Sequence, residues 1–480
     1  MKAPFLRPAI TPLFVLLLVA DALATCGGGG GGGTGGMGSG AMGAEEVVYQ
    51  VPWQAIKTPP PAGSLVLYWY PASQNEWEKS SLRNSRTLSV YAQQCVTMAV
   101  ANREMPNVET FIGTGKPPVV VLAQADGKII GRAEGTDGKL NVSVVEKLVE
   151  GEMKQRESAI KTQLKDAKDT AKKGDKAAAI VSLKAIVEQK CLFPNPAKDA
   201  AGELKKLGVA IGGEFYPAAN LDRSLGAEVE HQMMLGLAAE SQDRYPEAEK
   251  RYAAALKLDP SDPAPRRYLG EVYRHQLGDW DKARVVFDAI LARPSDPLSR
   301  AVALHGLGKM TIHDGNFPKG LSMMEASVAA FPLPLAFRNL AVYWHSEGDR
   351  VKAAAYTKQA LALDPADPFN LVFAAAFQAG DTSAAAKAEA VKVAKANDNL
   401  MCASYNLAAI YAQAGQKDRA VAMLKRHFFD YERYDAVRSK EMMEARVDAV
   451  FSSLFADPTF VSLTSGADGK LPLPKKMGRR

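Results

Sequence analysis

The side chains best suited to chemistry lie between positions 267 and 345. Four of the chain's six histidines, His275, His305, His313 and His345, fall there among the cations Arg267, Arg274, Lys309 and Arg338. Such cations hold carboxylates through charge-assisted hydrogen bonds, so the set points to an acidic ligand: a peptide carboxylate or an acidic segment of a partner protein. The plain alternative is ordinary polarity around a partner read by shape. No two of these histidines are spaced i, i+4, so a metal site is not indicated. Other chemistries lack their residues. Of Cys26, Cys95, Cys191 and Cys402, none forms a CxxC pair or a zinc spacing. Beyond Cys26 each reads as a small buried hydrophobe, with one long-range disulfide left open. The glycines from Gly27 to Gly33 are no phosphate cradle, because no strand precedes them and no Lys-Ser or Lys-Thr follows. No cofactor is expected.

The elements that must position the basic set recur from Val229 to Arg426 at an interval of about 34 residues. A first unit reads Leu235-Gly236, Ala239, Ala248, Tyr252, Ala255 and Pro260, its second helix stopped by the prolines of Leu258 to Pro263. The second has Leu269-Gly270, Tyr273, Ala283, Phe287 and Ile290, with one extra residue before Gly278-Asp279. Leu307-Gly308 and Leu340-Ala341 open the third and fourth. A shortened unit from Ala374 to Ala394 follows, and the pattern returns at Leu407-Ala408.

This spacing resembles the tetratricopeptide repeat family over 229 to 428, which implies helical hairpins stacked into a solenoid with a concave groove. The resemblance also implies which residues line that groove. Carried over from the family's first-helix positions, they are Arg267, Glu271, Arg274 and His275, then His305, Lys309 and His313, then Arg338 and His345. The family's clamp for C-terminal carboxylates is not reproduced, since Asn339 and Asn406 lack aligned lysines. A divergent repeat is read around Ala167 to Ile186. Arg446 to Leu463 resembles the capping segment that closes such arrays.

Between 47 and 150 the pattern changes to strands and helices. Leu65 to Tyr70 and Val96 to Val100 read as strands, and Val119 to Ala123 forms a hairpin with Lys128 to Gly131 around Asp126-Gly127. This order resembles the thioredoxin fold, with Pro118 where that family places a cis-proline. The family's two cysteines fall on or near Ser73 and Glu76, so no mixed disulfide can form there and a redox-inert domain is implied. Its groove beside Pro118 implies peptide docking as the alternative to a purely structural part.

The start reads as an export leader: Lys2 and Arg7 precede an apolar core from Leu13 to Ala20. Two cleavage readings stand. Leu23-Ala24-Thr25-Cys26 resembles a bacterial lipoprotein box with Cys26 lipidated, and Ala22-Leu23-Ala24 resembles an ordinary signal-peptidase site. The near-continuous glycine after Cys26 suits a flexible tether. A formal charge of +6 over 480 residues is too mild to argue for nucleic acid.

The expected order is therefore multidomain: leader 1–25, tether 26–46, thioredoxin-like α/β domain 47–150, helical connector 151–228, all-α tetratricopeptide-repeat solenoid 229–428, capping helices 429–464 and basic tail 465–480. The expected function is a non-catalytic protein-binding scaffold of the bacterial cell envelope, periplasmic or outer-membrane-anchored, or secreted. Membrane contact is expected only through a lipid at Cys26. The competing reading is a thiol oxidoreductase or its redox-partner module.

Overall fold

The structure, a computed structural model, describes residues 49–465 apart from 55–63, 102–112, 212–224 and scattered loop positions. The leader, the tether with Cys26, and tail residues 466–480 lie outside the described residues, as do the side chains of His313 and Cys402. The chain divides into two compact units, one ending at Leu333 and one beginning at Pro334.

The first unit opens with a four-stranded sheet: β1 (Leu65–Tyr70), β2 (Val96–Val100), β3 (Val119–Gln124) and β4 (Ile129–Glu134), in the order β2-β1-β3-β4. β1 pairs parallel with β2 and antiparallel with β3, and β3 pairs antiparallel with β4. All six residues of β1 are buried, because side chains of alternating direction meet cover on both faces. One face, with Leu65, Leu67, Trp69, Met98, Val120 and Leu122, joins the main core. The other, with Val66, Tyr68, Tyr70, Val119 and Val121, forms a smaller cluster. Gly127 takes the positive φ of 87° that the expected Asp126-Gly127 turn requires. Helices α1 (Gln74–Lys79) and α2 (Arg86–Gln93) connect β1 to β2.

After β4 the chain forms a single helix, α3 (Val142–Lys172), followed by α4 (Lys176–Glu188) and α5 (Pro194–Lys206). Val145 and Val149 of α3 share one core with the sheet, and that core continues through Ile160, Leu164, Leu183 and Ile186. The connector helices are therefore packed as a continuation of the sheet's own core.

The rest of this unit is three helical hairpins: α6 (Gly226–Glu240) with α7 (Tyr245–Leu258), α8 (Pro263–Glu271) with α9 (Trp280–Leu291), and α10 (Pro297–His313) with α11 (Phe317–Ala330). The Leu-Gly pairs seen in the sequence explain their close approach. A methyl on Gly236 would stand 2.3 Å from the Tyr252 ring, and one on Gly270 2.2 Å from Phe287. Phe287 also faces Gly306, so two glycines from neighbouring hairpins make the slot for one ring.

The second unit repeats the plan with α12 (Pro334–Ser346) and α13 (Arg350–Leu363), α14 (Pro368–Ala379) and α15 (Ala384–Ala396), then α16 (Ser404–Gln413) and α17 (Lys417–Arg426). The segment expected to be shortened, Ala374 to Ala394, lies within a full hairpin, α14 with α15. The unit closes with α18 (Asp435–Ala445), a 3-10 turn (Ala449–Leu454) and α19 (Pro458–Thr464), whose Phe451, Leu454 and Phe460 join the same core as α16. No helix among the described residues is long and apolar enough to cross a membrane.

Candidate functional site

The extra residue of the second repeat is absorbed as a π-helical turn, Val272–Leu277, at the end of α8. Such insertions widen a helix locally and re-aim its side chains. Gly278 stops the turn with a left-handed φ of 68°. On this turn Arg274 Nη2 donates to Glu271 Oε2 at 2.8 Å and also meets His275 Nε2, which lies 3.0 Å from the same carboxylate oxygen.

From the neighbouring first helix, α10, His305 and Lys309 are buried at 2% and 4% exposure. They act electrostatically on the same group of side chains. Burial, then Arg274, lowers the His275 imidazole to about 4. The same two causes hold His305 well below its ordinary value, so both rings are neutral near neutral pH. Burial alone would raise the Glu271 carboxyl, but Arg274 and then His275 bring it well below the carboxylate range.

Arg267 is engaged separately. Its Nη1 donates to Ser299 Oγ at 2.8 Å, and its guanidinium lies 5.6 Å over the Tyr268 ring. In the second unit, Arg338 Nη1 donates to Asp367 Oδ2 at 2.9 Å and Asn370 Oδ1 at 2.7 Å, bolting α12 to the start of α14. Its charge also lies 5.6 Å from the rings of Phe369 and Phe373. His345 is exposed, with its ring 5.0 Å from Phe377.

The structure thus brings together Glu271, Arg274, His275, His305 and Lys309. It gives Arg267 and Arg338 partners of their own, and it places Arg338 and His345 in the second unit. The three arginines are buried and committed to the fold, which spacing alone did not reveal.

At the sheet, Ser73 caps α1, its Oγ accepting from Glu76 N–H at 3.1 Å, and burial raises the Glu76 carboxyl. The Pro117-Pro118 bond is cis, and Pro118 O accepts from Gly135 N–H at 2.8 Å. Val119 pairs with Tyr70, so Pro118 borders the end of β1 from which the Ser73 loop departs. Cys95 is not the free core thiol expected of it: it is bonded to Cys191. Partners 96 positions apart leave no local signal from which that bond could be read.

A thermophilic tetratricopeptide repeat protein of Thermus thermophilus is 19% identical, over 46% of this chain and 100% of its own, with a TM-score of 0.27. A tetratricopeptide repeat protein of Parabacteroides merdae is 15% identical, over 60% of this chain and 98% of its own, with a TM-score of 0.33. At such TM-scores the superpositions add nothing further. No curated protein matches the sequence. Residues 233–297 and 314–368 match the tetratricopeptide repeat family model, and the hairpins over those stretches are tetratricopeptide repeats.

Proposed function

We propose that the protein is a non-catalytic scaffold of the bacterial cell envelope that binds a protein or peptide partner along the first helices of its repeats. Tetratricopeptide repeat proteins generally mediate protein–protein interactions. The observation that carries the reading is the repeat match, in a chain whose hairpins close on one another through Gly-aromatic contacts. The residues left to a ligand are those the fold does not consume, His345 foremost. An acidic segment remains the favoured partner chemistry, because Arg274 and Lys309 outweigh the one acid, Glu271, in the group gathered from α8 and α10.

The N-terminal sheet is read as thioredoxin-like, supported by its strand order and by the cis bond at Pro118. Ser73 and Glu76 stand where thiols would be needed, and Cys95 is bonded elsewhere, so the oxidoreductase reading finds no support. Export is supported by the same disulfide, since such bonds persist in oxidising compartments.

A photo-crosslinking residue placed at His345, with Val351 on the following helix as a control, tests the binding surface in an envelope extract. Val351 is 82% exposed, so it tolerates the change. A partner captured from His345 and not from Val351 is the expected result. Capture only from Val351, or from neither, overturns the groove reading.

A further inference from the structure

We propose that the N-terminal sheet domain serves as the cap of the repeat stack, latched to it by Arg86 and Tyr49 so that the two form one cooperative body. A stacked repeat leaves its terminal hairpin with an uncovered face, and some other element must close it.

Tyr49 is the one residue from outside the hairpins in the buried cluster formed by Val229, Met233, Leu237 and Tyr252 among the described residues. Two and four positions later, Val51 and Trp53 belong to the core of the sheet. The same short segment is therefore anchored in both cores. Val51 N–H donates to Arg83 O at 2.7 Å, and Trp53 Nε1 donates to Leu82 O at 3.0 Å, which fixes the segment beside the start of α2.

Arg86 opens α2 and reaches the loop between the first two hairpins. Its Nη2 donates to Asp259 Oδ2 at 2.8 Å, and its Nη1 lies 3.4 Å from Asp262 Oδ2 and also meets the Tyr49 hydroxyl. The guanidinium lies 5.1 Å over the Tyr49 ring. All three charges are buried, with side-chain exposures of 9%, 3% and 1%. Gly226, at the start of α6, lies beside the Arg86 stem: a methyl there would meet its Cδ at 3.4 Å, an ordinary contact.

The two aspartates do double duty. Asp262 Oδ1 caps α8 by accepting from Ala264 N–H at 2.9 Å, and Asp259 Oδ1 accepts from Ser261 N–H at 3.0 Å. Removing Arg86 alone would strand two buried carboxylates and disturb both turns. Changing all three groups together removes the charges while asparagine keeps both turn contacts.

The test is hydrogen exchange on the full chain carrying Arg86→Met, Asp259→Asn and Asp262→Asn together. The expected result is that sheet residues of β1 and β3 keep their protection while α6 and α7 lose at least about tenfold. Wild-type protection retained in α6 and α7 would overturn the proposal. An independent measurement needs no variant: in low urea the wild-type sheet and α6–α7 should open at one common free energy. Two separate openings would overturn it equally.

Discussion

Cys95 and Cys191 stand 96 positions apart in sequence, yet their Cα atoms lie 5.8 Å apart, joined by a disulfide. The bond ties the turn before β2 to the turn after α4, across the core that the sheet shares with the connector helices. Cross-linking so long a loop restricts the unfolded chain more than the folded one. Cys191→Ser should therefore lower stability by about 2–5 kcal/mol, read as a fall in the urea midpoint of the first unit. Dithiothreitol should reproduce the loss in the wild type and add nothing in the variant.

An insulin-reduction assay should show no turnover. Turnover that disappears in Cys95→Ser would restore the oxidoreductase reading.

Gly270→Ala should destabilise by about 1–3 kcal/mol, because its methyl would press into the Phe287 ring. Phe287→Ala should cost more, about 3–5 kcal/mol, by emptying the slot between Gly270 and Gly306. Urea titration of both variants checks the order.

Asp448 and His275 should answer acid with opposite signs. Asp448, 2% exposed, has its carboxyl raised by burial to about 6. An unfolded aspartate sits near about 4, so the folded state binds more protons between these values. Its contribution to stability therefore falls as pH rises through that window, by about 3 kcal/mol, and is constant above it. His275 behaves inversely. Held at about 4 against roughly 6.5 unfolded, its contribution is present above that upper value and is lost as pH falls. Hydrogen exchange of α16 and of the Val272–Leu277 turn across this range, corrected for intrinsic rates, should give slopes of opposite sign. Asp448→Asn, which keeps the cap on Val450 N–H, should flatten the slope for α16.

If Cys26 carries a lipid, the mature protein should sediment with membranes and begin at that residue by mass. Cys26→Ser should then release it to the soluble fraction. A soluble wild type starting at Thr25 would favour ordinary cleavage.

The repeated Leu-Gly and Ala positions, the prolines between hairpins and the unbroken apolar run Leu65 to Tyr70 determined by themselves where helices, hairpins and strands form. These are local effects: a glycine admits a close ring, a proline ends a helix, and a period of two or of 3.6 decides which side is buried. The one-residue excess before Gly278 was also legible, although not that it would become a π turn gathering Glu271, Arg274 and His275.

Tertiary structure alone decided what those side chains do. The arginines at 267 and 338 read as free cations because their partners, Ser299 and Asp367, lie a full repeat away. Asp259 and Asp262 stand in the sequence only as members of the proline loop that stops a helix, and their partner Arg86 lies more than 170 positions earlier. Residue types and spacing specify a local conformation, whereas a charge's partner depends on the path of the whole chain. Once both groups are buried, desolvation makes that partner decisive.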